Sequence, residues 1–149
     1  MRQTGVTDLM QRAPRRHGLA WMLLCTALAL HVVDEAFTDF LSVYNPTVQN
    51  IRKSFPLFPL PVFTFESWLT GLIIVIILLF SLSPFVFRGA RWMAPFSYLF
   101  GVLMLANGTL HLLGSLYLGR VMPGAISAPL LIAASVYLLL QTRSVRTRS

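Results

Sequence analysis

Apolar residues along the chain gather into four long blocks, and most of the polar stretches between them are short enough to be turns. The blocks run from about Gly18 to Tyr44, Ser67 to Phe87, Trp92 to Leu118 and Met122 to Leu140. About 20 apolar residues cross a hydrocarbon core of ~30 Å, so each block predicts a transmembrane helix. "RGAR" at 88–91 separates the second block from the third. "GRVMPG" at 119–124 turns into the fourth, with Pro123 near a helix start, where a missing N–H costs little. The one long connection, Asn45 to Ser67, carries Pro46, Pro56, Pro59 and Pro61, which forbid a continuous helix. It also carries Phe55, Leu57, Phe58, Leu60, Phe63 and Phe65 and is too apolar for a solvated loop. It therefore reads as an interfacial segment resting on the mouth of the helices, either an anchor or a lid over an outward-facing cavity.

The pattern predicts an all-α fold: an integral membrane four-helix bundle forming one transmembrane domain over residues 1–149, with basic tails at 1–17 and 141–149. Composition agrees, since 56% hydrophobic and 11% charged residues with a mean hydropathy of +0.70 exclude an ordinary soluble domain. A net charge of +7 would suit nucleic acid, but the positive residues sit in the tails and short loops, where they set membrane topology. Nine of them (Arg2, Arg12, Arg15, Arg16, Arg88, Arg91, Arg143, Arg146, Arg148) fall on one side of a four-span arrangement. Three (Arg52, Lys53, Arg120) fall on the other, which places both termini in the cytoplasm of a multi-pass cell-membrane protein. The expected partner is membrane lipid and not nucleic acid, with "QTRSVRTRS" as an anchor for anionic headgroups. A basic flank and "ALA" at 27–29 resemble a signal peptide, but apolar character resumes from Ala36 to Tyr44, so the first helix reads as uncleaved. The single cysteine, Cys25, forms no intrachain disulfide and reads as a lipid-facing or packing residue.

One stretch contradicts the pattern. Within "ALALHVVDEAFTDF" (27–40) the first block takes on His31, Asp34, Glu35 and Asp39, although a charge at mid-bilayer costs about 2.5–3.5 kcal/mol. The i,i+3 and i,i+4 spacings put all four on one helical stripe, which must then face protein or water. The third block has a counterpart in "ANGTLHLLGS", where Asn107 and His111 are again i,i+4 beside the small Gly108, which helps bring this face close to a neighbour. At 1.5 Å per residue, Glu35 lies about 26 Å from Gly18 and His111 about 27 Å from Met93, near the starts of their blocks. The two blocks run in the same direction across the membrane, so these groups are expected at one depth and in one site, with Asn107 and Asp39 in support. Elsewhere, Glu66 suits the positive end of a helix dipole. Trp21, Trp68 and Trp92 suit an aromatic belt, and His17 reads as solvated in the basic tail.

"HVVDE" in the first block, "NGTLH" in the third and "YLGRVMPGAISAP" before the fourth together resemble the HXXEE-motif family of small multi-span membrane proteins, across about His31 to Tyr137. The resemblance implies no established activity. Asp34 departs from it, standing where the family has the first of two glutamates, while Glu35 fits directly.

Two chemistries suit the residues. His31, Glu35 and His111, with Asp34 as a fourth ligand or as an orienting group behind them, form a donor set for a divalent metal such as zinc. A bound cation would also offset the burial of two carboxylates. Without metal, His31, Glu35 and His111 form an acid–base set, since adjacent carboxylates do not both ionise cheaply in a low dielectric. Either chemistry suits an enzyme acting on a lipid-like substrate. The same cavity also suits a transporter or binding protein, and a polar network that only fixes helix register needs neither.

Overall fold

The first apolar block ends earlier than its hydropathy suggests, and that break creates the wall of the site. In the computed structural model, which describes residues 3–57 and 59–146 with side chains over 13–57 and 59–144, α1 runs Gln3–Phe37 and α2 runs Leu41–Ser54. Phe58 of the connecting segment, Arg2 and residues 147–149 lie outside the described residues, as do the side chains of Arg12 and Arg146. Between α1 and α2 the chain turns through Asp39, at φ 56°, a left-handed conformation that a short polar side chain tolerates. Phe40 N–H reaches back to the carbonyl of Glu35 (3.1 Å), the hydrogen bond that closes a left-handed helix C-terminus. Asp39 is consequently exposed and off the helix, which corrects its expected place on the His31–Glu35 stripe.

The long connection is also more helical than four prolines suggested. Helix α2 passes through Pro46 and ends only at Ser54, and an extended stretch then leads to α3. The Asn45 amide pins that stretch, donating from Nδ2 to Phe63 O (2.9 Å) and accepting from Phe63 N at Oδ1 (3.1 Å). Tyr44 Oη donates to Pro61 O (3.1 Å).

Helix α3 (Phe65–Ser81) starts at Thr64, whose side chain accepts from Ser67 N, with Glu66 in the first turn. It breaks at Leu82 ahead of α4 (Ser83–Phe87), because Pro84 has no N–H to give to Phe80 and its ring crowds that carbonyl. Helix α5 spans Met93–Leu118, within a residue of the expected block. The last helix, α6, is Ala128–Arg146 and not a span beginning at Met122; residues 123–127 form a turn instead. Pro123 supplies no donor and Gly124 sits at φ 80°, so a helix does not run through them.

The fold is all-helical, with no strand among the described residues. Three helical segments, Ala13–Phe37, Phe65–Phe87 and Met93–Leu118, are long and apolar enough to cross a membrane, which fits a membrane location. Much of the α3 surface is exposed aliphatic side chain, including Ile73, Ile74, Ile77 and Leu78. The core is shared by α1, α3, α4, α5 and α6, through Trp21, Leu24, Leu79, Val86, Phe100 and Leu131 among others. Trp21 is fully buried and donates from Nε1 to Leu79 O (3.0 Å), tying α1 to α3, so it is a core residue and not part of an interfacial belt. Cys25 is buried against the same core. His17 is not solvated: it is 2% exposed, with Nε2 at 2.9 Å from Ser97 Oγ of α5 and 3.3 Å from Thr142 Oγ1 of α6.

Candidate functional site

Helix spacing brings the first two groups together. His31 and Glu35 are one turn apart on α1, with Nε2 and Oε1 separated by 3.6 Å. Helix α5 supplies the third, placing His111 Nε2 at 3.1 Å from the same Glu35 oxygen. The two imidazole rings meet edge to face, with centroids 4.8 Å apart. All three side chains are buried, His31 completely. One ligand-capable atom from each lies within 4.8 Å of the others, so the structure joins residues 76 positions apart in a single cluster.

The 123–127 turn closes over this cluster, and its backbone conformation depends on what lies beneath. A Cβ on Gly124 would stand 2.9 Å from two ring atoms of His111 and 3.0 Å from Glu35 Cγ, so the site requires glycine for space as well as for its positive φ. The turn gives its carbonyl at Pro123 to His111 Nδ1 (2.6 Å). Gly124 N donates to Thr38 Oγ1 (3.3 Å), and Met122 N donates to Ser115 Oγ (3.0 Å). Helix α6, which follows, comes close to α5 at Gly108, where a Cβ would stand 2.9 Å from Ile132 Cγ1 and 3.1 Å from Ala128 O.

Asp34 does not point at the Glu35 oxygen. Its Oδ2 accepts from both Ser127 N (2.9 Å) and Ser127 Oγ (2.7 Å), and Ser127 Oγ also lies 2.8 Å from His31 Nδ1. Asp34 therefore stands behind His31, one hydroxyl away from the cluster. Asn107 is half-buried, and no hydrogen bond joins it to His111 or His31 among the described residues. Ser127, Pro123, Gly124 and Thr38 complete the surroundings; "GRVMPG" stood out in the sequence as a turn and "YLGRVMPGAISAP" as a motif of the resemblance, but neither pointed to a place in the site.

The polar atoms define the proton arrangement around His111. A carbonyl only accepts, so the Nδ1 facing Pro123 O carries hydrogen, and Nε2 stands 3.1 Å from Glu35 Oε1, a separation that calls for a proton or a cation between the two. His31 Nε2 is buried with no hydrogen-bond partner among the described residues. The cluster thus sets a carboxylate between two imidazole nitrogens, one of them without a hydrogen-bond partner among the described residues.

An apolar groove of about 370 Å³ lies alongside, lined by Phe40, Tyr44, Phe63, Trp68, Leu72 and Val75. Phe40 separates it from the cluster, its ring centroid 5.8 Å from both His111 and Trp68.

No curated protein and no solved structure matches this chain. A family profile does match, over residues 21–138, and it covers the α1 cluster residues, the α5 histidine, the closing turn and most of α6. On that match the chain belongs to the family described as proteins of unknown function with an HXXEE motif, and carries Asp34 at the first acidic position.

Proposed function

We propose that this is a multi-pass membrane protein in which His31, Glu35 and His111 bind a divalent metal, zinc fitting best, for chemistry on a lipid-like substrate. One observation carries the reading: His31 Nε2 is fully buried, partnerless and 3.6 Å from a carboxylate oxygen that His111 Nε2 also faces. A proton satisfies one pair of those three atoms, whereas a metal ion satisfies all three. Tetrahedral zinc with bonds of about 2.0–2.2 Å holds its donor atoms roughly 3.3–3.6 Å apart. Separations of 3.1 and 3.6 Å are close to that.

Three protein ligands leave a fourth position open, as catalytic zinc sites do, for water or a substrate oxygen. The metal would activate that oxygen. Glu35 and the two imidazoles would hold the metal, and the turn over Gly124 would exclude bulk water. The lipid-like character of the substrate is supported by the apolar groove against Phe40 and by its opening beside the exposed aliphatic face of α3. Four helical passages with cytoplasmic termini complete the reading, on the strength of the charge distribution.

A competing reading is a protonated His111 paired with Glu35, which the 3.1 Å separation favours. Elemental analysis of detergent-purified protein, before and after incubation with zinc, decides between them. About one metal per chain is expected, lost in His31→Ala, Glu35→Ala and His111→Ala. Folded wild-type protein that takes up no zinc would remove the metal from the proposal and leave the ion pair.

A further inference from the structure

We propose that Asp34 and Ser127 are positioning residues that fix the tautomer of His31, so that its Nε2 lone pair, and not an N–H, faces Glu35 and His111. The use of this arrangement rests on the metal reading above; the arrangement itself does not.

The argument turns on one hydroxyl. Ser127 Oγ lies 2.7 Å from Asp34 Oδ2, 2.8 Å from His31 Nδ1 and 3.2 Å from Gly124 O. A hydroxyl has a single hydrogen to donate. The carboxylate is the closest of the three and the strongest acceptor, since charge-assisted hydrogen bonds are about twice as strong as neutral ones. The serine hydrogen therefore points at Asp34. Two acceptors do not sit 2.8 Å apart without a hydrogen between them, so His31 Nδ1 donates to Ser127 Oγ. In the neutral ring this leaves Nε2 bare, which accounts for its lack of a partner.

The backbone reinforces the direction. Ser127 N also donates to Asp34 Oδ2 (2.9 Å), immediately before the first residue of α6. The carboxylate thus holds the serine by two bonds at the positive end of a helix dipole, where a negative charge is stabilised. An aspartate carboxylate in this chain reaches both donors of Ser127, so the departure from the family's glutamate coincides with a complete set of contacts. His111 Nδ1 is tied by a different route, donating to the Pro123 carbonyl. Both imidazoles then offer Nε2 inward with Nδ1–H tied to oxygen, the arrangement that orients ligating histidines and raises their basicity.

The test uses full-length protein in detergent with ¹⁵N-labelled histidine rings, stripped of metal and held at alkaline pH. The His31 signals are assigned by loss in His31→Gln. In the wild type His31 should be in the Nδ1–H form. In Ser127→Ala the ring should turn to the Nε2–H form, because Nδ1 loses its acceptor while the Glu35 carboxylate, 3.6 Å from Nε2, can take the hydrogen there. Ser127→Thr, which keeps the hydroxyl, should restore the wild-type tautomer. Zinc affinity, titrated on the same proteins, should fall 10- to 100-fold in Ser127→Ala and Asp34→Asn and recover in Ser127→Thr. An Nε2–H tautomer in the wild type overturns the proposal whether or not zinc binds, and so does an unchanged tautomer in folded Ser127→Ala. Wild-type protein that shows the expected tautomer but takes up no zinc upholds the positioning role and removes the metal reading alone.

Discussion

At the scale of single residues, the polar groups in the first apolar block are tolerated because nearly all of them are satisfied by a named partner. Asp34 has Ser127, and His111 has Pro123 and Glu35. His31 has Ser127 on one nitrogen and, among the described residues, no hydrogen-bond partner on the other. That exception makes the sign of a Glu35→Gln substitution informative. Glutamine keeps the shape of the side chain and adds an amide N–H that an empty imidazole nitrogen accepts. If Glu35 serves as a metal ligand, the metal-free variant should melt at the wild-type temperature or above it, while zinc uptake is lost. If Glu35 instead pairs with a charged His111, neutralising it removes a buried ionic hydrogen bond and the midpoint should fall by the equivalent of about 1–3 kcal/mol. Thermal unfolding of both proteins without metal distinguishes the cases. The meeting of Glu35 with His111 was legible in advance, because helical spacing and rise suffice to compute depth. Ser127 was not, since a serine within a predicted span carries no mark of the backbone turn that presents it.

At the scale of elements, two breaks decide the geometry, and hydropathy is blind to both. Residues 36–44 are still largely apolar, yet the left-handed Asp39 redirects the chain into α2 and brings Phe40 against His111. Residues 122–127 look like the start of a span, yet 123–127 fold as the turn over the cluster. A hydropathy pattern reports burial and period but says nothing about which residue will take a positive φ. The opposite end of the helices holds a second tie that was misread for the same kind of reason. His17 follows two arginines, and charge pattern alone places it in water, but α5 and α6 close around it through Ser97 and Thr142. His17→Ala should leave the Ser97 hydroxyl without its imidazole and open a void where α1, α5 and α6 meet. A loss of about 1–3 kcal/mol is expected from the orphaned group alone, read as a lower unfolding midpoint with zinc uptake unchanged. Altered zinc uptake in a folded variant would mean that the two ends of the helices are coupled.

At the scale of the whole molecule, the open question is whether α6 returns across the membrane. Its apolar stretch from Ala128 to Leu140 is only 13 residues, about 20 Å of helix against a hydrocarbon core of ~30 Å. The packing of α6 along α1 supports the proposed return. Ser127, at its start, meets His31 and Asp34, whereas Thr142, near its end, meets His17. From His31 back to His17 is about 21 Å of α1, and from Ser127 to Thr142 is about 22 Å along α6, so the two run antiparallel over matched lengths. Thr142 therefore ends at the level of Ser97, near the start of α5, and Arg143 emerges on the side of Arg15 and Arg16. On the topology proposed above, that side is the cytoplasmic one. Reporter fusions at the two ends should both register as cytoplasmic, and a fusion within 47–54 of α2 as external. A C-terminal reporter scored outside would contradict the antiparallel return of α6 and, with it, the placement of Ser127 beside His31. The topology assay therefore bears on the proposed metal site as well as on the fold.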